Sequence, residues 1–467
     1  MNHTVSGQAP TGSPAADELG QHLTAALAPL LSQEVRSQRR PRGRPRVLCE
    51  SHLWLSLLLC VLSGMRSYQD WWRWLCSTAI GPFQPLALTD DALVKRLRQA
   101  GVEPVRQLFC LVSQALAKSL VGHSSTALAP FASQILALDE CTLDRLTRHL
   151  PLLRAVPTGD PRLLAGKLVA LFNIRTQQWQ TLRYVRDALM QGALLALPLL
   201  EQVPIGSLLL FDLGYFNFAW FDYLGERALW FVSRWRTDTT YQLVHTFYRH
   251  QEILDALVWL GSGHGSRAGQ LCRLVRFGDG EQVRCYVTNV LDPHLLSMCD
   301  IAQLYARRWD IELAFLTLKE YLDLHHWWSG HPVLIEQQLW LVLLLAQVYQ
   351  AWRVRLAVQE HVEVFDVSLP LLIHYVPLLI RQGEAIAPWV QAHGKELRLL
   401  RPNQRLQVQV PRIALADYHW PSGPLPLSRH ARYQPSKPRA HRHSGAYWRR
   451  LKREREQQQQ RASPFHS

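Results

Sequence analysis

Tyr305, Arg308, Glu312 and Lys319 bring a phenol, two cations and one carboxylate into a single helical stretch, LYARRWDIELAFLTLKEYL. At 100° per residue they fall within about 60° of one another, so a helix here presents them as one stripe. Leu304, Ile311, Ala314, Leu318 and Leu322 make a separate apolar face, which leaves the polar stripe to a ligand. Cations hold phosphate oxygens and a carboxylate holds a metal ion; neither does the other's work. The stripe therefore suits a polyanion approached through a metal. An Arg and a Glu four residues apart also decorate ordinary solvated helices, so the stripe alone decides nothing.

Two further carboxylates give it company. Asp139 follows the apolar run Ile135-Leu136-Ala137-Leu138, and Asp212 follows Leu208-Leu209-Leu210-Phe211. A buried strand that ends in Asp delivers the carboxylate to a sheet edge, where loops make sites. Asp139, Asp212 and Glu312 together are the donor set for two divalent ions about 3.5–4 Å apart, one activating an attacking water or hydroxyl and one the leaving oxygen of a phosphodiester. Shared carboxylates favour Mg²⁺, a hard cation.

The elements that must position these groups divide the chain into five stretches. Residues 1–46 form an arm whose first 17 residues are rich in Ser, Pro, Gly and Ala and are expected to be disordered. Its basic end holds Arg42-Gly43-Arg44-Pro45, similar to the AT-hook core that enters an A·T minor groove; a plain charged linker accounts for it equally well. Residues 47–128 read as a helical DNA-binding domain, with Thr89 as an N-cap, Gly101 as a stop, and Lys95, Arg96 and Arg98 as candidate phosphate contacts. The Trp-rich SYQDWWRWLC within it reads as core.

Residues 129–330 read as a mixed α/β domain. KLVALFNIR and WQTLRYVR alternate like a hairpin, ALLALPLLEQ is helical, and a β-rich insertion occupies about 236–290, turning at Gly278-Asp279-Gly280. Residues 331–420 contain two helical stretches, LIEQQLWLVLLLAQVYQAWRVRL and SLPLLIHYVPLLIRQG. Residues 421–467 read as a basic tail, disordered or helical only when bound. His325-His326-Trp327-Trp328, beside the polar stripe, has no partner at ligand spacing and reads as packing or a DNA-facing edge.

A formal net charge of +14 over 467 residues points to an acidic partner, with nucleic acid first and an anionic membrane surface as its rival. The longest apolar runs, Leu53 to Leu62 and Leu339 to Ala346, fall short of a bilayer span, and no secretory signal pattern opens the sequence. Eight cysteines without a CxxC pair argue for reduced thiols in a cytoplasmic chain.

FDLGYF at 211–216, FVSR at 231–234, VTNVLD at 287–292 and YARRWDIELAFLTLK at 305–319 resemble the bacterial DDE transposases of the insertion-sequence-four family. The signature Y-x2-R-x3-E-x6-K of that family is met at Tyr305, Arg308, Glu312 and Lys319. The resemblance spans roughly residues 130–350. It implies a ribonuclease-H-like core with a β-rich insertion before the catalytic Glu, and Mg²⁺-dependent cutting of transposon ends followed by strand transfer, with Mn²⁺ as a substitute.

By the same resemblance, Asp139, Asp212 and Glu312 would be catalytic metal ligands. Tyr305, Arg308 and Lys319, with Arg234, would contact DNA; Arg42 and Arg44 would do so through their separate similarity to the AT-hook core. The partners would be terminal inverted repeats and target DNA, the assembly a homodimer, and the location cytoplasmic and nucleoid-associated. Some family members hold a flipped base on an insertion Trp; Trp259 is available, but buried core is the better reading of it. The family often reads D-[GST]-T at its first Asp, where this chain has Asp139-Glu140-Cys141-Thr142. On a strand Glu140 would point to the opposite face from Asp139. A nuclease without strand transfer, or a decayed copy that only binds DNA, would use the same scaffold.

Overall fold

A computed structural model describes residues 48–433 other than 66, 80–83, 121–127, 145–163, 188–189, 262–264, 280–281, 325, 330 and 404–407. Arg42 and Arg44 lie outside the described residues. Four helices come first: α1 (Glu50–Leu62), α2 (Tyr68–Ser77), α3 (Asp90–Ala100) and α4 (Glu103–Leu120). Thr89 caps α3 by accepting the Ala92 N–H, and Gly101 ends it at φ 71°, a left-handed conformation that glycine adopts without strain. Trp71 of α2 is fully buried, donating its indole N–H to Ser56 Oγ.

The sheet follows. Strands β1 (Ile135–Asp144), β2 (Leu164–Asn173) and β3 (Gln178–Val185) are antiparallel; α5 (Gly192–Leu200), β4 (Leu208–Phe211), α6 (Phe218–Glu226) and β5 (Trp230–Arg234) come next, with β4 parallel to both β1 and β5. The β-rich insertion supplies β6 (Tyr241–His250), β7 (Ile253–Leu260), β8 (Cys272–Asp279) and β9 (Gln282–Thr288). It does not form a sheet of its own. Val232 of β5 pairs with Thr288 of β9, giving nine strands in the order β3-β2-β1-β4-β5-β9-β8-β7-β6.

The chain then runs through α7 (Met298–Arg307), α8 (Trp309–Leu316), a π-helical turn (Thr317–Tyr321), α9 (Pro332–Gln359), α10 (Leu369–Gln382) and α11 (Ile386–His393). Strand alternation sorts the sheet's side chains onto two cores. Leu136, Leu138, Leu209, Phe211 and Phe231 pack under α5 and α6, whereas Ala137, Leu210 and Val232 join a larger cluster with α1–α4 and α7–α9. Helices α1–α4 thus share a core with the sheet. Buried glutamines of α9 tie the two together: Gln337 Nε2 donates to the Leu97 and Gly101 carbonyls, and Gln347 Nε2 to Trp179 O and Ser113 Oγ.

Helix α9 is long and apolar enough to cross a bilayer, yet 78% of its apolar window is buried inside the protein, which marks it as a core helix. Trp259 is likewise in a core, with Phe247, Leu257, Leu271 and Tyr418.

The stretch read as a tail from 421 is, as far as Tyr433, a strap docked on the insertion. Leu271 N–H donates to Leu427 O, Arg429 N–H to Gly269 O, and Arg267 and Arg432 exchange backbone bonds. The Arg429 guanidinium satisfies the carbonyls of Leu260, Gly261 and Ala268 and lies 4.9 Å from the Trp259 ring. Composition alone misleads here because the Arg429 guanidinium serves backbone carbonyls.

A second arginine closes the same region. Arg273 on β8 makes a bidentate bond to Asp255 on β7, at 2.7 and 2.6 Å, and gives a third at 2.6 Å to the carbonyl of Leu296, just ahead of α7. Tyr418, just ahead of the strap, donates to the same carboxylate, and neither Arg273 nor Asp255 is exposed at all.

Candidate active site

Parallel pairing sets the geometry. Leu138 of β1 lies opposite Phe211 of β4, which lies opposite Ser233 of β5. The residue after each of these is Asp139, Asp212 and Arg234, so these three stand side by side at this edge of the sheet. By alternation they share the face of Ala137, Leu210 and Val232, the face that α7 and α8 cover.

Strand β4 ends before Asp212, as the sequence led one to expect, and the Asp212 carboxylate caps the following turn by accepting Gly214 N–H at 2.8 Å. Strand β1 does not end at Asp139. It runs on to Asp144 because β2 stays paired with it after β4 has stopped, so Asp139 sits on a strand whose other edge has been released. Glu140 points to the far face, where Lys167 Nζ holds it at 3.0 Å and also donates to Met190 O.

The helical stripe arrives in pieces. A Ser297–Asp300 capping box starts α7. At Arg308 the winding tightens, with Arg308 N–H bonding Tyr305 O and Ile311 N–H bonding Arg308 O; beyond Leu316 it widens into the π turn that carries Lys319. The expected straight helix is therefore corrected to two segments and a wide turn. Tyr305, Arg308 and Glu312 still converge on the sheet, while Lys319 is half-buried on the π turn.

Arg308 is the hub. Its Nη2 lies 2.5 Å from Glu312 Oε1 and its Nη1 lies 3.4 Å from Asp139 Oδ2, so one guanidinium spans two of the three carboxylates. Tyr305 and Trp309 place their rings 5.7 and 5.8 Å from it. Burial pulls its proton affinity down, but Tyr305, Glu312 and Asp139 outweigh that and raise it, so the cation is secure. Burial lifts the Asp139 carboxyl to about 6, against the backbone N–H of Glu140 and the Arg308 charge, with Asp212 and Glu312 adding repulsion. Burial also pushes the Tyr305 phenol up to about 12.

Among the described residues no three His, Cys, Asp or Glu side chains stand close enough to grip a metal as they are. The donor chemistry nonetheless fits one. Asp139, Asp212 and Glu312 converge on one face, and carboxylate oxygens are the donors a hard divalent cation takes.

Beside the carboxylates lies a cavity of about 250 Å³ lined by Arg234, Arg284, Tyr286, Tyr305, Arg308 and Trp309, with Gln282, Cys285, Ala306 and Val408 at its edges. Sequence reasoning named Arg234, Tyr305 and Arg308 but missed Arg284 and Trp309. Period-2 alternation along QVRCYV puts Arg284 and Tyr286 on one face, and that was the available signal. Trp309 is 54% exposed, unusual for a residue wedged between a buried Arg and a buried Asp. Trp328 of the HHWW run packs its ring 5.2 Å from Tyr68, in keeping with packing; His325 lies outside the described residues.

Residues 167–348 match the protein family described as the transposase DDE domain. That stretch contains Asp212 and Glu312 and begins after Asp139. The chain is 20% identical, over 67% of its length and 73% of the other's, to a transposase for insertion sequence element IS231C of Bacillus thuringiensis subsp. berliner. It is also similar to a piggyBac transposase solved by cryo-EM as a synaptic complex with hairpin DNA, at a TM-score of 0.41 and 10% identity over 85% of this chain and 87% of that one. The domain match and the bacterial relative support a part in DNA transposition in general.

Proposed function

We propose that this chain is a metal-dependent DNA transposase that cuts at transposon ends and transfers the freed 3′-hydroxyl into target DNA. The observation that carries this reading is the register of the parallel strands: Asp139 and Asp212 stand side by side, facing the helix that bears Glu312. The order β3-β2-β1-β4-β5, antiparallel then parallel, supports a ribonuclease-H-like core within the longer sheet. The Y-x2-R-x3-E-x6-K spacing supports an insertion-sequence-four type of enzyme.

Asp139, Asp212 and Glu312 would hold Mg²⁺, or Mn²⁺ in its place. The bound metal would supply an activated oxygen nucleophile and charge relief at the leaving oxygen. This chain's own residues do the rest. Arg234, Arg308 and Tyr305 line a basic cleft that would place a phosphodiester against the carboxylates, and Lys319, half-buried on the π turn, would add a further cation. Lys95 and Arg98, exposed on α3, and Arg42 and Arg44 of the arm would track the duplex backbone farther out. Two such chains would hold two ends in one synaptic homodimer.

The test is cleavage and joining by the purified chain on a duplex carrying the inverted repeats that flank its gene, with Mg²⁺, beside Asp212→Asn and Glu312→Gln. Both activities should drop to background in the variants while duplex binding persists. Cleavage without joining would make the chain a nuclease, and binding without cleavage a DNA-binding copy.

A further inference from the structure

The position of Arg308 is at odds with a residue whose only task is to grip DNA. Its side chain is 10% exposed, and its two Nη atoms are committed to Asp139 and Glu312, the carboxylates assigned above to the metal. The fit is incomplete. Its Nε–H is buried with no hydrogen-bond partner among the described residues, and each carboxylate is met through one oxygen rather than by the parallel fork that Arg and a carboxylate form when nothing else constrains them. The tight turn at Arg308 puts the guanidinium between β1 and α8, where positive charge is wanted. A buried donor left unmet is a strained arrangement that another acceptor would relieve.

We propose that Arg308 is a built-in counter-ion that holds Asp139 and Glu312 in the metal-free enzyme and is displaced when a divalent cation binds between them. The freed guanidinium then swings into the adjoining cleft, already lined by Arg234 and Arg284, to meet a phosphate. Metal and guanidinium compete for the same two carboxylates, so metal binding weakens the clamp and a phosphate that captures the guanidinium favours metal binding, each by the same factor. The inference rests on the metal-site reading of these carboxylates. In the whole enzyme, Arg308 is a positioning residue until it is released.

The test measures Mn²⁺ binding to the full-length chain, by calorimetry or by loss of the free-ion magnetic resonance signal, without DNA. Arg308→Ala should bind Mn²⁺ at least about tenfold tighter than the parent chain, the equivalent of losing one competing charge-assisted contact. Arg308→Lys keeps the charge but cannot span both carboxylates, so it should fall between the two. A Lys variant no tighter than the parent overturns the proposal, since only the loss of net charge would then matter; so does an Ala variant with unchanged affinity. If Arg308→Ala does not fold, the Lys variant carries the test alone. Absence of Mn²⁺ binding in all three chains overturns the metal-site reading itself, and the proposal with it. Asp139→Asn, which removes a ligand, distinguishes site binding from stray binding by abolishing the signal.

Discussion

The arginine–carboxylate centres at Arg273 and Arg308 flank one sheet, and they are built on opposite terms. Around Arg273 everything is closed: the guanidinium fork meets Asp255 squarely, Leu296 and Tyr418 take up the remaining capacity, and no water reaches either charge. Around Arg308 one guanidinium is divided between two carboxylates 16% and 31% exposed, with a donor to spare. A saturated buried pair has nothing left to offer a ligand, whereas an unsaturated one at the rim of a cleft does. Satisfaction and access, more than charge, separate the closed centre from the one proposed to take a ligand.

The largest expected effect breaks the closed centre. Arg273→Ala leaves Asp255 buried and unpaired and should lower unfolding free energy by about 3–5 kcal/mol, read from urea melts. Arg308→Ala should lower it by about 2 kcal/mol at most, because Asp139 and Glu312 keep some contact with water, and added Mn²⁺ should restore part of it. Equal losses in the two variants would erase the contrast. Tyr418→Phe removes a single bond to Asp255 and should lower stability by about 1 kcal/mol without altering the Arg308 centre.

The smallest effect is one of pH. The folded chain holds the Asp139 proton up to about 6, above the ordinary carboxyl value of 3.8, so the native state binds more protons than the unfolded one in that window. Stability of the metal-free chain should therefore decline as pH rises from about 4 through 6, and the slope should flatten in Asp139→Asn. An identical slope in both chains would mean that Asp139 is not held in this way.

Much of the site was legible because it depends on short-range pattern. Four apolar residues ending in Asp212 fix a strand end, and the spacing from Tyr305 to Glu312 survives a distorted turn since both residues precede the widening. What was not legible depends on partners distant in sequence. Nothing in ILALDECTLD says that β2 will carry β1 past Asp139, and nothing near Arg308 says that its guanidinium will reach across the fold to that Asp. The docking of 421–433 escaped for the same reason: Pro and Arg are expected in solvated chain, and only the carbonyls of Leu260, Gly261 and Ala268, far upstream, give Arg429 a reason to fold back.

That strap also sets an order of events in time. During synthesis the ribosome releases Asp255 and Arg273 well before Tyr418 and Arg429, so the insertion emerges with its outer seam open and is sealed only when those later residues arrive. A message cut short before codon 418 would yield a protein with every carboxylate of the site but with that seam unsealed. Closure of the insertion would thereby wait on synthesis of residues 418–433, well over a hundred residues after the strands they seal.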